Sequence, residues 1–81
     1  MDPMEIQRLI EAALSSAAHV EVRTDGQGHY EALVVSDDFE GKRSVQRHQL
    51  VYAALGERVG REIHALAVKT LTSSEWHAAT Q

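Results

Sequence analysis

Residues Gly41–Trp76 read GKRSVQRHQLVYAALGERVGREIHALAVKTLTSSEW, and this run contains the patterns of a helix, a strand and the start of another helix. Its first part carries a stripe with spacings of three and four residues, made of Val45, His48, Tyr52, Leu55 and Val59. Such spacing places side chains on one face of a helix. Ser44 is placed to cap that helix, and Gly56 and Gly60 can end it in left-handed turns, with a short extra turn around 56–61.

The second part of the run predicts a strand and a capped helix. Residues Ile63–Thr70 are rich in β-branched residues and alanine and end at a Thr-Ser-Ser cluster, which indicates a strand. Thr72 and Glu75 have the spacing of a capping box, so a last helix should begin there and carry Trp76. We expect Trp76, like Tyr52 of the preceding helix, to fill the core.

The N-terminal half predicts a helix followed by a hairpin. Asp2-Pro3 can cap and open the helix, and Glu5 completes a capping-box spacing. The apolar stripe of this helix consists of Ile6, Leu9, Ile10, Ala13 and Leu14. Alternation predicts a half-buried strand at 19–24, a turn at 25–28 and a more apolar, more central strand at 29–36. Phe39 should turn inward from the polar loop that follows.

The predicted order is α-β-β-α-β-α in a single domain over residues 1–81, an α+β two-layer fold with three strands covered on one face by helices. Composition is ordinary for a globular domain, with 43% hydrophobic and 25% charged residues. No apolar run is long enough for a membrane span and no signal-peptide pattern is present, so the expected location is the cytoplasm and no membrane partner is expected.

Charge and cysteine content narrow the function classes. Eight Lys and Arg against twelve Asp and Glu give a net charge of −4, which disfavours binding driven by phosphate contacts. The absence of cysteine excludes disulfides and any thiolate site built from this chain alone. No phosphate loop, helical His pair or nucleophile with a base occurs at a recognisable spacing, so we predict that the protein is not an enzyme.

Histidines are the residues best suited to bind a metal. His64 starts the predicted third strand beside a glycine-containing turn, where a side chain can be both oriented and exposed. Imidazole suits Zn, Cu and Fe, and in some iron–sulfur centres it replaces cysteine on one iron. From position alone, a hydrogen-bonded structural histidine is the better interpretation of His64. For His29, which follows the hairpin turn, the alternative to a ligand is a solvated turn residue.

Four fragments in order closely resemble the BolA family: Phe39-Glu40-Gly41, Arg47-His48-Gln49-Leu50-Val51-Tyr52, Ile63-His64-Ala65-Leu66, and Thr70-Leu71-Thr72 ahead of Glu75-Trp76. The short N-terminus and the short loop before His29 look most like the IbaG-type branch. The resemblance covers most of the chain. It implies a class II KH-like fold in which the third strand pairs in parallel with a hairpin strand.

The resemblance also implies a cofactor and a partner. In BolA-like proteins the His of the Ile-His-Ala-Leu motif, here His64, is a ligand of a [2Fe-2S] cluster shared with a monothiol glutaredoxin, whose cysteine and bound glutathione supply thiolates. A second His or Cys near the hairpin loop can be another ligand, which makes His29 a candidate; the alternative is that Gly28-His29-Tyr30 corresponds to a family histidine that flanks the strand and is not a ligand. The implied role is iron–sulfur trafficking or iron homeostasis. The isolated protein should be a monomer without a cluster.

An alternative function is DNA binding by the local basic cluster. Some BolA relatives act in transcription, and the local basic cluster of Lys42, Arg43 and Arg47 could contact DNA weakly. KH domains hold the nucleic-acid backbone with a Gly-x-x-Gly loop, and Ser44 occupies the position of its second glycine here, which weighs against that function.

The acidic loop Asp37–Glu40 could bind a hard cation but is better explained by helix capping, and His48 is better explained by packing of its helix.

Overall fold

The computed structural model describes residues 1–80, which fold in the predicted order. The helices and strands are α1 (Pro3–Ala13), β1 (Ala17–Thr24), β2 (His29–Ser36), α2 (Ser44–Leu55), β3 (Ala65–Leu71) and α3 (Ser73–Ala79). Short 3-10 helices follow β2 and α2, at Asp37–Phe39 and Gly56–Arg58. The second of these lies where the glycines predict an extra turn.

The strands form one mixed sheet in the order β1-β2-β3, so β2 is central, as its apolar sequence predicts. β1 and β2 are antiparallel, whereas β2 and β3 are parallel. In the hairpin turn, Gly26 and Gly28 have φ values of 82° and 86°, which glycine adopts without steric cost. The parallel register aligns His29 with Ala65 and so brings the start of β3 beside the end of this turn.

The third strand begins at Ala65 rather than at the predicted Ile63. Ile63 is fully buried, its N–H donates to the Arg58 carbonyl, and its own carbonyl accepts from the Gly60 N–H. Because these bonds fold the chain into a turn before it joins the sheet, His64 precedes β3 instead of starting it.

Helix α1 begins as the sequence predicts. Asp2 precedes it and accepts a 2.9 Å hydrogen bond from the Met4 N–H, and Pro3 occupies the first helical position. The buried residues of this segment are Ile6, Ile10 and Leu14. Leu9 is partly buried, but Ala13 is exposed and does not belong to the predicted stripe.

The face that helix α2 presents to the core coincides only in part with the predicted stripe: Leu55 is buried and Val59 packs against the core, as predicted, but Val45 and Tyr52 do not. Val51 and Leu55 are fully buried, whereas Val45 is 67% exposed and Tyr52 is 38% exposed. Leu50 and Ala54 flank the buried pair and pack against the core. The helix carries a second set of apolar residues at spacings of three and four, and this set meets the sheet.

The first turn of α2 also differs from the prediction. Ser44 lies within the helix, and Arg43 is the residue that precedes it. The Gln46 side chain accepts a 2.9 Å hydrogen bond from the Arg43 N–H and so takes up one backbone donor at this end. At the other end, Gly56 follows the helix with φ of 57°, as predicted.

The core lies between one face of the sheet and the helices α1 and α2. Its buried members from the sheet and loops are Val20, Tyr30, Ala32, Val34, Phe39 and Ile63. Phe39 is fully buried, which confirms that it turns inward from the polar loop. Leu66 and Val68 of β3 are only partly buried against this core.

Helix α3 packs at one end of the opposite face of the sheet. The capping box predicted for it is present, since Thr72 Oγ1 accepts from the Glu75 N–H and Glu75 Oε1 accepts from the Thr72 N–H. Trp76 does not fill the core as predicted but stacks on His19 of β1, with ring centroids 4.8 Å apart. Val35, which points to this face, is fully buried. The rest of the face is open.

Candidate metal-ligand site

His64 is positioned by the end of the hairpin turn. The Gly28 carbonyl accepts from the N–H of His64 at 2.8 Å and from the N–H of Ala65 at 3.1 Å. The side chain of His64 is exposed and its ring lies against Gly28. Within residues 1–80 the His64 imidazole makes no hydrogen bond or ion pair. The ring nitrogens are therefore available to a metal or to a group of another molecule. Residues 1–80 provide no hydrogen-bond partner for the structural role that position alone suggested for His64.

His29 is the first residue of β2 and is held from one side. Its Nδ1 lies 2.8 Å from Asp25 Oδ2, and its side chain is 61% exposed. A metal-binding histidine commonly donates its second ring N–H to a carboxylate, which fixes the tautomer and leaves the other nitrogen free. Asp25 is placed to do this for His29, so Nε2 is the nitrogen that can bind a metal.

Asp25 is itself fixed by the turn. Its Oδ1 accepts a 2.7 Å hydrogen bond from the Gln27 N–H. That backbone hydrogen bond, followed by the one from His29, lowers the pKa of the Asp25 carboxyl. The carboxylate is thus charged at neutral pH and can orient the imidazole beside it. The residues Asp-Gly-Gln-Gly-His make this pairing local, so its spacing could have revealed Asp25 as a partner of His29.

The sheet register brings the two candidate ligands to the same end of the molecule. His29 pairs with Ala65, so His64 lies beside Gly28, the residue before His29. His29 lines an open depression of about 500 Å³ on the sheet face that α1 and α2 leave uncovered. The site is therefore accessible to a large partner.

The donor set fits a shared iron–sulfur cluster better than a metal held by this chain alone. Among the described residues, no group of three or more His, Cys, Asp or Glu could hold a metal ion. The chain has no cysteine, so every thiolate would have to come from another molecule. Imidazole nitrogens are ligands that a [2Fe-2S] cluster can take, as in centres where histidines replace cysteines.

The other histidines lie away from this end. His48 is half-buried on α2, and His19 stacks on Trp76 with its Nε2 3.9 Å from Glu21. His77 lies on α3.

The basic cluster is partly used within the fold. Arg47 is only 14% exposed at its side chain and pairs with Glu75 at 2.7 Å. Its Nε donates to the Lys42 carbonyl at 2.9 Å. Lys42 Nζ donates to the Asp38 carbonyl, but its side chain is exposed, as is that of Arg43. Lys42 and Arg43 thus remain open to a phosphate, whereas Arg47 links α2 to α3. The sequence did not suggest Glu75 as its partner.

The acidic loop makes hydrogen bonds that connect other elements. Asp38 accepts from both the N–H and the hydroxyl of Ser15, at 2.8 and 2.9 Å, and so fixes the end of α1. Asp37 Oδ1 accepts from the N–H of Ser73, the first residue of α3. The capping interpretation of this loop is confirmed at Asp37.

Comparison with known proteins shows which family this chain resembles. The family profile described as BolA-like protein matches residues 1–75. The DNA-binding transcriptional regulator BolA of Haemophilus influenzae is 34% identical over 90 residues, covering 96% of this chain and 87% of the regulator. BolA-like protein 1 of Homo sapiens is 38% identical over 85 residues, covering 94% of this chain and 61% of the human protein.

A solved structure agrees with these matches. The structure of a bolA protein homologue from Coxiella burnetii superposes with a TM-score of 0.82 at 39% identity, covering 95% of this chain and 97% of that one. The mixed sheet and its helices therefore define a BolA-like α+β domain. The chain belongs to the BolA family, and its placement in the IbaG-type branch stays a prediction. None of the helices within residues 1–80 has the length and apolar character needed to cross a membrane.

Proposed function

We propose that this BolA-family protein is a non-enzymatic partner of a monothiol glutaredoxin, with which it shares a [2Fe-2S] cluster in iron–sulfur trafficking or iron homeostasis. The observation that carries the proposal is the pair of exposed imidazoles, His29 and His64, at one end of the sheet of a chain without cysteine. The protein acts as a monomer when alone and meets the glutaredoxin in the cytoplasm.

Each partner supplies the ligands that the other lacks. His64 and Nε2 of His29 would supply imidazole ligands to the cluster, while the cysteine of the glutaredoxin and the thiol of its glutathione would supply thiolates. A [2Fe-2S] cluster carries iron and sulfide and can accept one electron. Neutral imidazole donates less charge than thiolate, so histidine ligands raise the reduction potential of a cluster above that of an all-thiolate one. Asp25 keeps His29 in the tautomer with Nε2 free.

Mixing the two proteins tests this proposal directly. A monothiol glutaredoxin is loaded with a reconstituted [2Fe-2S] cluster and glutathione, and this protein is added under anaerobic conditions. We expect new charge-transfer bands in the visible circular dichroism spectrum and a 1:1 complex by native mass spectrometry. A variant with both His29→Ala and His64→Ala should leave the glutaredoxin spectrum unchanged. An unchanged spectrum with the wild-type protein would refute the proposal.

The name of the Haemophilus influenzae relative favours a second candidate, a DNA-binding regulator. In this chain Lys42 and Arg43 are the exposed basic residues of the cluster that could contact phosphates, because Arg47 is paired with Glu75. Phosphate contacts release counterions, so two such residues give a slope of about −2 in log affinity against log salt.

Fluorescence anisotropy with a duplex oligonucleotide, measured over a range of salt concentrations, distinguishes the two functions. We expect weak binding that Lys42→Ala and Arg43→Ala reduce and that a change of DNA sequence does not affect. Tight, sequence-selective binding at physiological salt would establish the second candidate instead.

A further inference from the structure

We propose that Gly28 is a positioning residue for His64, and that the absence of a side chain at Gly28 sets the direction in which the imidazole points. What that imidazole binds rests on the proposed function, but the positioning itself is a property of the isolated protein.

The backbone of Gly28 fixes the backbone of His64. One carbonyl, that of Gly28, accepts from two successive N–H groups, those of His64 and Ala65. This pair of hydrogen bonds ties the last residue of the hairpin turn to the point where the chain enters β3. The Cα of His64 is therefore held next to Gly28, whatever the side chain does.

The imidazole of His64 occupies the space that a side chain at Gly28 would fill. A Cβ added to Gly28 would overlap Cδ2 of His64 and would lie 3.0 Å from its Cγ and 3.3 Å from its Cβ. Turning the ring about the Cβ–Cγ bond would move Cδ2 away but would leave the tight approaches to Cγ and Cβ unchanged. Rotation about either side-chain bond changes the direction in which the ring nitrogens point, and only rotation about the Cα–Cβ bond also moves Cγ.

No other described glycine has this role. Gly26, Gly41, Gly56 and Gly60 also have positive φ, but a Cβ added to any of them would meet nothing within 4 Å. At those positions glycine serves backbone conformation alone. At Gly28 it serves backbone conformation and also leaves room for a candidate ligand.

Gly26 provides a matched control within the same turn. Its φ of 82° lies, like the 86° of Gly28, in the region that disfavours a side chain, so both Gly26→Ala and Gly28→Ala strain the backbone. Only Gly28→Ala also displaces His64. We therefore expect Gly28→Ala to lower the melting temperature more than Gly26→Ala does, and to shift the ring-proton NMR signals of His64 at pH 8, where Gly26→Ala leaves them in place.

Combining each change with His64→Ala isolates the contact. In the His64→Ala background, Gly28→Ala should lower the melting temperature no more than Gly26→Ala does. This comparison can be made even if Gly28→Ala alone fails to fold. Equal penalties in the presence of His64, or a penalty at Gly28 that His64→Ala does not relieve, would overturn the positioning role.

The cluster-bound complex gives the second measurement. With the loaded glutaredoxin, Gly26→Ala should reproduce the wild-type dichroism and Gly28→Ala should lose the bands that depend on His64. If the wild type forms a complex and Gly28→Ala matches Gly26→Ala in it, the positioning role is wrong while the proposed function stands. If the wild type forms none but the stability cycle shows coupling, the positioning role stands and the proposed function is wrong.

Discussion

The two candidate ligands are individual residues held by different means. His29 is oriented through its side chain, by the carboxylate of Asp25, whereas His64 is oriented through its backbone and by the space above Gly28. Both supports come from the same short turn. A histidine that is already oriented by such support loses less conformational entropy when it binds a metal.

Substitution of Asp25 tests the first of these supports. Asp25→Ala removes the acceptor for His29 Nδ1 and should shift the His29 tautomer equilibrium, which imidazole ¹⁵N chemical shifts report. Asp25→Asn keeps an oxygen acceptor and should retain most of the wild-type tautomer. Identical ¹⁵N shifts in wild type and Asp25→Ala would show that the carboxylate does not orient His29.

The sequence predicted individual residues well where the signal is local. Asp2, Phe39, Gly56 and the Thr72–Glu75 capping box have the roles that their types and spacing indicate. The contact between Gly28 and His64 could not be predicted in this way, because it depends on the parallel register of β2 and β3.

Helix α2 shows the limit of periodicity at the level of an element. It carries two overlapping apolar sets, one through Val45 and Tyr52 and the other through Val51, and both include Leu55. Periodicity identifies the helix but does not choose between the sets. The structure buries the second set, and the Tyr52 hydroxyl instead donates to the Leu66 carbonyl at 3.3 Å.

The cap of α3 is an element-level feature with a measurable contribution. Thr72 is buried and its Oγ1 accepts from the Glu75 N–H, so Thr72→Ala should lower the free energy of unfolding by about 1 kcal/mol. Ser74→Ala, at an exposed position in the same helix, is the control and should change it little. Urea denaturation measures both, and equal effects would contradict a specific role for the cap.

The link between α2 and α3 predicts a pH dependence. The Arg47 guanidinium, and then the Thr72 N–H, lower the pKa of Glu75 below its ordinary value of 4.5. A carboxyl with a lowered pKa in the folded state contributes stability above its unfolded-state pKa, and this contribution is lost as the pH falls through the folded-state pKa.

Urea denaturation between pH 6 and pH 3 should therefore show wild-type stability falling faster below about pH 4.5 than that of Glu75→Gln. The Gln variant keeps an oxygen acceptor for the cap but has no titrating group at this position. Parallel curves for the two proteins would indicate that the ion pair with Arg47 does not contribute to folding.

The whole molecule offers an incomplete ligand set, and this determines how it should behave alone. After anaerobic treatment with iron and sulfide, the purified protein should stay colourless and monomeric, because two imidazoles without a thiolate do not hold a stable cluster. Visible absorption together with light scattering checks this. A coloured dimer with cluster ligated by histidines from both copies would contradict the division of ligands between different proteins.

The visible circular dichroism of the cluster complex with a monothiol glutaredoxin and glutathione, recorded for three histidine variants, tests the central assignment most directly. We predict that His64→Ala folds and changes the spectrum, that His29→Ala changes it less, and that His48→Ala keeps the wild-type spectrum while lowering stability by about 1 kcal/mol. His48 is the matched control because it is a half-buried histidine on α2, away from the site. A folded His64→Ala protein with the wild-type spectrum would contradict the assignment of His64 as a ligand.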